Sequence, residues 1–292
     1  MANLKEIRIR ISSVKSTRQI TSAMKMVSAA KLKKAQDAIL QMRPYARKLH
    51  DILTHLSANL ENIEGNIYAA DRPVQRVLLV VITANRGLCG GFNSNVVKKT
   101  VDIIQGPYSS FHQAGNLDIL LLGKKGGDIL KSKGFLAIGE HNAAIDKPKF
   151  ESVASVAEQI MLLYSDNNYD RIDLIYNQFK NSASQFLTQE RFLPVSIEKD
   201  EAHHHRPNYI FEPSLEYMVE VLIPEALKIQ FYKAVLDSQA AEHGARMTAM
   251  HQATDNATEL IHDLKLEYNK ARQAAITSQL VEIVSGAEAL KT

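Results

Sequence analysis

Several features that the sequence lacks narrow the class of protein. Its 292 residues include one cysteine, Cys89, so a framework of disulfides is excluded. No stretch approaches the roughly 18 consecutive apolar residues that a bilayer-spanning helix requires. The N-terminal segment ANLKEIRIRI is charged at once, unlike a secretory signal, and it lacks the Ser/Arg-rich composition of an organelle leader. We therefore expect an intracellular chain whose association with any membrane is peripheral.

Signatures of cofactor binding are also missing. The segment Asn85–Asn93, NRGLCGGFN, follows an apolar run and precedes a helical pattern, which is where a phosphate-binding turn would lie. Its glycines do not fit G-x-G-x-x-G, and no Walker lysine–serine pair follows. We interpret it as a tight strand-to-helix turn. The GKKGG segment, Gly123–Gly127, likewise has the wrong spacing for a phosphate-binding loop.

No catalytic or metal-binding set stands out. His203, His204 and His205 are adjacent, so their side chains point in different directions, which favours a solvated loop over a metal site. Neither a Ser-His-Asp set nor a close pair of carboxylates is found. The sequence predicts no catalytic residue, no metal, no cofactor and no small-molecule substrate.

Two long helical patterns occupy the ends of the chain. Ala245–Leu290 has no proline, its one glycine is Gly286, and good helix formers fill most positions. Its larger apolar residues share one stripe at heptad spacing, with alanines recurring between them: Met247, Met250, Ile261 and Leu264. A seam this narrow is typical of a two-helix coil rather than of a globular face.

The N-terminal pattern, Leu4–Leu60, shows the same alternation of three and four residues. The positions in register are Leu4, Ile7, Ile11, Val14, Leu32, Ala35, Ile39, Met42, Ala46, Leu49, Leu53, Leu56 and Leu60. Four polar residues interrupt it: Arg18, Thr21, Lys25 and Ser28. In that gap the apolar face moves to Ile20, Met24 and Val27. Two interpretations stay open, a local stutter in the coil or a face that looks outward at a partner. Pro44 predicts a bend or a break.

Positive charge is concentrated in the N-terminal pattern. Residues 1–50 carry twelve Lys/Arg against two acids, a balance of +10, whereas the whole chain is only +3. Such a helix suits nucleic acid, anionic lipid, an acidic protein surface or plain solvation. Nucleic acid is the weakest of these readings, because aromatic residues do not alternate with the basic ones and no recognition motif is present.

The middle of the chain has an α/β pattern. Apolar, β-branched runs at Arg76–Ala84, Leu117–Gly123 and Arg171–Phe179 alternate with helical patterns. Those helices are predicted at Ser94–Ile104, Lys124–Ser132 and Ser152–Tyr164. Gln185–Val195 is predicted to be an edge strand.

The fold class predicted is therefore α/β with a long coiled coil. The N- and C-terminal helices form an antiparallel two-helix coil, and a Rossmann-like α/β domain with a mostly parallel sheet is inserted between them. The predicted domains are 1–60, 61–210 and 211–292. At ~1.5 Å per residue the first helix would run roughly 85 Å and the second roughly 110 Å, so the C-terminal tip of the second should project alone.

The chain resembles the ATP synthase gamma subunit family over its whole length. The resemblance is carried by Ile7–Leu32, by RGLCGGFN at Arg86–Asn93, and by ARMTAMHQATDNA and YNKARQAAITSQLVEIVSGA near the C-terminus. It implies the central rotor shaft of a proton-translocating F-type ATP synthase, within a ring of three alpha and three beta subunits. The α/β domain would lie near the epsilon subunit and the membrane c-ring. By rotation the shaft would couple proton flow to ATP synthesis and regulate ATPase activity, while the active sites lie on the beta subunits.

The resemblance also implies a place in the cell. The regulatory cysteine pair of the plant members is absent, and so is an organelle leader, which indicates a bacterial chain. Such a chain would be peripheral, on the cytoplasmic side of the inner membrane. Two alternatives stay open: a non-rotary coiled-coil scaffold with an inert α/β domain, and a nucleotide-binding α/β protein with helical arms.

Three groups of residues are expected to contact partners. Beta-subunit loops would meet a basic, seam-breaking face and a polar group near the end of the coil: Met24, Lys25, Arg246, Arg272, Gln273 and Thr277. Small, weakly directional apolar contacts would form a bearing tip: Leu280, Val281, Ile283, Val284 and Ala287. The epsilon subunit and the membrane ring would meet Tyr209, Phe211 and Glu212, although local packing could equally explain those aromatic residues.

Overall fold

A computed structural model of the chain describes residues 4–57, 68, 72–181, 184–195 and 215–289. The helices in these ranges are α1 (Leu4–Ser57), α2 (Phe92–Gln105), α3 (Ser109–Gln113), α4 (Lys124–Ser132), α5 (Ala143–Asp146), α6 (Phe150–Ser165) and α7 (Leu215–Ala289). The strands are β1 (Val77–Ile82), β2 (Leu117–Leu122), β3 (Gly139–Glu140), β4 (Arg171–Phe179) and β5 (Gln185–Leu193).

The strands form one mixed sheet in the order β3-β2-β1-β4-β5. β1 pairs in parallel with β2 and with β4, β2 pairs in parallel with β3, and β5 joins β4 antiparallel at the edge. Every side chain of the central strand β1 is buried, which is why its sequence is a continuous apolar run rather than an alternating one.

Helices cover both faces of the sheet. Successive side chains of β1 point to opposite faces, so Leu78 and Val80 join one core while Leu79 and Val81 join the other. The first core contains buried residues of α6 and of the N-terminal part of α7, including Phe231. The second core is closed by α2 and α4.

By its internal contacts the chain divides into two compact units. Residues 29–246 form the α/β unit, and residues 1–28 with 247–292 form the helical unit. The predicted domain boundaries near residues 60 and 210 fall in segments outside the described residues, so that division stays a prediction.

Within the helical unit the two helices run antiparallel. An Arg8 Nη2 donates to the hydroxyl of Tyr268 at 2.8 Å, and the hydroxyls of Thr21 and Thr254 lie 2.8 Å apart. A step toward the C-terminus along α1 is therefore matched by a step toward the N-terminus along α7. The buried positions of α7 in this unit follow the predicted stripe, at Met250, Ile261 and Leu264.

The seam of α1 does not shift at its polar interruption. Thr21 and Ser28 are buried in the original heptad register, whereas Ile20 and Val27 are 60% and 56% exposed. Moving the seam from Thr21 to Ile20 would turn α1 by about 100° about its axis, out of register with the apolar positions on either side. Of the two interpretations, the structure therefore supports the face that looks outward, at Ile20 and Val27, and not a stutter that moves the seam.

The fold class predicted from the sequence is confirmed, and the predicted strands and helices all occur. The structure adds three short elements that the pattern did not predict, α3, β3 and α5. α1 continues through Pro44, so the proline does not break it. α7 begins at Leu215 and includes the predicted helical pattern from Ala245 as far as Ala289.

Candidate partner-binding surfaces

The C-terminal end of α7 is an exposed apolar surface of the helical unit. Given the pairing of Arg8 with Tyr268, the first described residue of α1, Leu4, lies near the level of Ala271. Past that level α7 has no partner among the described residues. The predicted tip residues are all exposed: Leu280, Val281, Ile283, Val284 and Ala287. Exposed apolar side chains in such a group mark an interaction surface.

The predicted polar contact group lies just where this pairing ends. Arg272, Gln273 and Thr277 are exposed on α7, beside the half-buried Ala271 and Ala275. The Thr277 hydroxyl donates to the Gln273 carbonyl at 2.9 Å, so it is already used within the helix. Arg272 and Gln273 remain as the side chains that can reach another chain.

The stretch of α1 from Ile20 to Ser28, where polar residues are buried and apolar ones exposed, forms a second surface. Met24 and Lys25 are half-buried at the edge of the seam, and Ile20, Met26 and Val27 are exposed next to them. The structure thus brings Met24 and Lys25 beside an apolar patch, in line with the interpretation of an outward apolar face.

The third predicted residue of that group, Arg246, has a different setting. It belongs to the α/β unit, and its side chain is buried on α7. It donates to the carboxylate of Glu242 at 2.6 Å and to the backbone carbonyls of Arg86 and Gly87 at 3.1 and 3.2 Å. Its contact with a partner stays a prediction.

The segment Asn85–Asn93 is a tight turn from β1 into α2. Leu88 and Gly90 both have positive φ, at 60° and 57°. The Asn93 side chain closes the turn by accepting from the amide of Ala84 at 2.9 Å. The carbonyl oxygens of Arg86 and Gly87 in this turn accept hydrogen bonds from Arg246. A phosphate-binding turn would instead present amide N–H groups to its ligand.

The GKKGG segment serves close packing of α4 on the end of β1. A Cβ at Gly123 would lie 2.2 Å from the Thr83 carbonyl oxygen, and one at Gly126 would lie 2.4 Å from the Thr83 hydroxyl. The Gly126 amide donates to that hydroxyl at 3.1 Å. These glycines allow the approach of strand and helix.

One buried polar cluster was missed by the sequence analysis. Asp173 on β4 accepts from the Tyr108 hydroxyl at 2.6 Å, from the Gln189 amide at 2.7 Å and from Arg171 Nε at 3.3 Å. Burial, followed by the hydrogen bond to Asp173, raises the pKa of Tyr108. A carboxylate in the middle of an otherwise apolar run was the available signal. The cluster is satisfied internally and holds α3 against the edge of the sheet.

Some predicted residues lie outside the described residues: Tyr209, Phe211, Glu212 and the histidines His203, His204 and His205. In the described ranges, His, Cys, Asp and Glu side chains form no group that could hold a metal ion. The described helices include none that is both long and apolar enough to cross a membrane.

A two-helix coil with an exposed apolar end, in a chain that also holds a five-stranded α/β unit, defines a stalk-type subunit of a larger assembly. Comparison with known proteins agrees. A family model described as ATP synthase matches residues 3–290. The chain is 58% identical over 290 residues to the ATP synthase gamma chain of Flavobacterium johnsoniae, with 99% of both chains covered. It is 54% identical over 291 residues to that of Flavobacterium psychrophilum, with both chains fully covered. The chain belongs to the ATP synthase gamma chain family, as its sequence predicted.

Solved structures show the same fold. The central stalk and c-ring structure of the Tetrahymena thermophila mitochondrial ATP synthase contains a chain that matches with a TM-score of 0.58 and 27% identity, covering 80% of this chain and 99% of that one. A chain in the Euglena gracilis mitochondrial ATP synthase matches with a TM-score of 0.70, covering 98% and 94%. The latter is 23% identical and supports the fold alone.

Proposed function

We propose that this chain is the rotor subunit of the central stalk of an F-type ATP synthase. It turns within a ring of three alpha and three beta subunits and couples proton flow through the membrane sector to ATP synthesis. The observation that carries the proposal is the antiparallel coil whose longer helix ends in an unpaired apolar tip, in a chain of this family.

The tip has the chemistry that a rotating bearing needs. Its exposed aliphatic side chains offer contacts that depend on area rather than on direction. An ion pair or a set of hydrogen bonds would favour one angle, because those interactions need particular geometry. Dispersion contacts of about 0.1–0.2 kcal/mol per atom pair are exchanged for similar ones as the helix turns.

The polar residues just before the tip would favour particular angles of rotation of the shaft within the ring. Arg272 offers a planar fork suited to a carboxylate, and Gln273 offers a donor and an acceptor. A net hydrogen bond to a charged group is worth about 1.5–3 kcal/mol, so such a catch can hold one angle and release it at each step. Lower on the same coil, Met24 and Lys25 would meet acidic loops of the beta subunits.

The chain itself would perform no catalysis. The reaction would take place on the beta subunits, and this chain would contact the epsilon subunit and the c-ring as well. Tyr209, Phe211 and Glu212 are the residues proposed for that lower contact. The chain would lie on the cytoplasmic side of the bacterial inner membrane, held there through the complex.

A reversible cross-link between the coil and the ring tests rotation. Lys15 is exposed on α1 of the helical unit, so Lys15→Cys can be paired with a cysteine introduced on the facing beta subunit. Oxidation should stop ATP hydrolysis, and reduction should restore it. The matched control carries Lys15→Cys alone and should not respond to oxidation. A cross-linked complex that hydrolyses ATP at the uncross-linked rate would instead indicate a non-rotary scaffold.

A further inference from the structure

The α/β unit contains a buried ion pair, and its observed contacts all lie within the chain. Arg246 Nη1 and Glu242 Oε1 lie 2.6 Å apart, one turn from each other on α7, with each side chain only 10% exposed. Buried charges are retained only when they are paired and hydrogen-bonded, and a pair within one helix does not need to be buried to form. The reason for its burial must therefore be sought in what else Arg246 binds.

Arg246 holds the turn that follows β1. Its Nη2 donates to the carbonyls of Arg86 and Gly87, and its Nε donates to that of Gly87 at 3.3 Å. One planar guanidinium thus joins a carboxylate of α7 to two successive carbonyls of a loop 160 residues earlier in the chain. A lysine ammonium cannot reproduce this arrangement, because its donors radiate from one nitrogen.

The turn has a conformation that needs such support. Leu88 adopts a φ of 60°, which is unfavourable for a residue with a branched side chain, and its side chain is 65% exposed. On the inner side of the turn, Cys89 and Phe92 pack against Ala241 of α7. The turn is thus fastened to α7 by apolar packing below and by Arg246 at its carbonyls.

Burial and neighbouring charges act on the two titratable groups beside Arg246. Burial raises the pKa of Glu242, while Arg246 and, more weakly, Lys31 oppose that rise and Asp146 adds to it. His243 lies with Nδ1 3.4 Å from Arg246 Nη1, and burial, Arg246 and Lys31 lower its pKa to about 4. His243 is therefore neutral at physiological pH and adds no positive charge that would compete with Arg246 for Glu242.

We infer that Arg246 and Glu242 form a clamp that fixes the turn Arg86–Gly91 on α7, so that the sheet and this part of the helix move as one rigid body. Arg246 is then a positioning residue. Its consequence for coupling rests on the proposed rotor function, since a rotor loses work wherever its parts twist against each other.

Hydrogen exchange in the assembled complex tests the clamp directly. Arg246→Lys keeps the charge and removes the fork. We expect the amides of residues 87–92 to exchange at least tenfold faster, while those of residues 78–81 in the middle of β1 are unchanged. Glu242→Gln keeps the shape and an acceptor oxygen, so its effect should be smaller. The effect of the double variant should be smaller than the sum of the two separate effects, because both changes act on one unit.

Arg72 provides a matched control. It too donates to two backbone carbonyls, those of Tyr164 and Tyr169, and it pairs with Asp170 at 3.0 Å, but none of these contacts involves the turn. Arg72→Lys should leave exchange in residues 87–92 at the parental rate. Parental exchange of the turn in Arg246→Lys, or an equal increase in Arg72→Lys, would overturn the clamp.

The number of protons pumped per ATP hydrolysed tests the role of the clamp in coupling separately from rotation itself. With rotation established by the cross-link, Arg246→Lys should pump at least twofold fewer protons per ATP hydrolysed than the parent. The proton-to-ATP ratio of Glu242→Gln should lie between those of the parent and Arg246→Lys. A turn that exchanges faster with an unchanged proton-to-ATP ratio would show that the clamp does not serve coupling. If cross-linking the coil to the ring did not stop ATP hydrolysis, the rotor function would be refuted. The hydrogen-exchange result would still test the clamp.

Discussion

The hydroxyl oxygens of Thr21 and Thr254 lie 2.8 Å apart across the seam of the helical unit. Each is also within hydrogen-bonding distance of a carbonyl on its own helix, at Arg18 and Met250 respectively. The pair is a polar layer between apolar ones. A slip of either helix would place these hydroxyls against aliphatic side chains, so the layer favours one register at some cost in apolar burial.

A double-mutant cycle on this pair should show coupling. With Thr21→Val, Thr254→Val and the double change, we expect a coupling energy of about 0.5–1.5 kcal/mol, because each single change leaves one hydroxyl facing a methyl group. Urea unfolding of the chain measures it. Thr17 and Thr258 are at a matching level but exposed, and each bonds back to its own helix. The same cycle on that pair should give no coupling, and equal values for both pairs would contradict the polar layer.

The outward apolar residues of α1 should serve assembly rather than folding. Ile20→Gln is expected to change the free energy of unfolding by no more than about 0.5 kcal/mol, since the side chain is exposed. Ile7→Ala, in the buried seam, should cost about 2–5 kcal/mol. Co-purification with alpha and beta subunits should fall for Ile20→Gln at unchanged stability. Retention equal to that of the parent would show that this face is not a contact.

Removing the hydrogen-bonding side chains of Arg272 and Gln273 should slow turnover without unfolding the chain. Arg272→Ala with Gln273→Leu removes hydrogen bonds worth about 1.5–3 kcal/mol each to a charged partner, so ATP synthesis and hydrolysis should fall about tenfold or more. Thr277→Ala should have a smaller effect, because that hydroxyl is used within the helix. Turnover of the assembled complex is the measurement. Parental rates in the double variant would exclude the catch.

His243 should make the α/β unit sensitive to acid. Its folded pKa is lowered to about 4 from an ordinary value of 6.5, first by burial and then by Arg246 and Lys31. The neutral form is thus favoured by the fold, and this stability is present above pH 6.5 and is lost as the pH falls toward 4. From pH 7 to pH 5 the loss should be about 2 kcal/mol.

Urea unfolding at the two pH values measures this loss. His243→Gln cannot take up a proton, so its free energy of unfolding should decrease less by about that amount over the same range. An equal decrease in parent and variant would assign the acid sensitivity to other groups.

The sequence by itself determined which segments are helices and strands. Those features depend on spacing within a single segment: the heptads of α1 and α7, and the continuous apolar run of β1, which a strand buried on both faces requires. It also indicated the exposed tip, since the C-terminal helix expected within 211–292 is longer than the N-terminal one. The break that was one of two outcomes expected at Pro44 does not occur, and α3, β3 and α5 were missed, because packing overrides the preference of single residues and short segments.

The tertiary structure decided what each polar residue does. Thr21 stays in the seam because a hydroxyl on the other helix reaches it. Arg246 is buried because carbonyls of a distant turn accept its donors, and Asp173 has partners just before α3 and on β5. A polar side chain can be buried only where a partner stands within about 3 Å. That partner is often more than a hundred residues away in the chain, as it is for Thr21 and Arg246, so no pattern local to the residue contains it.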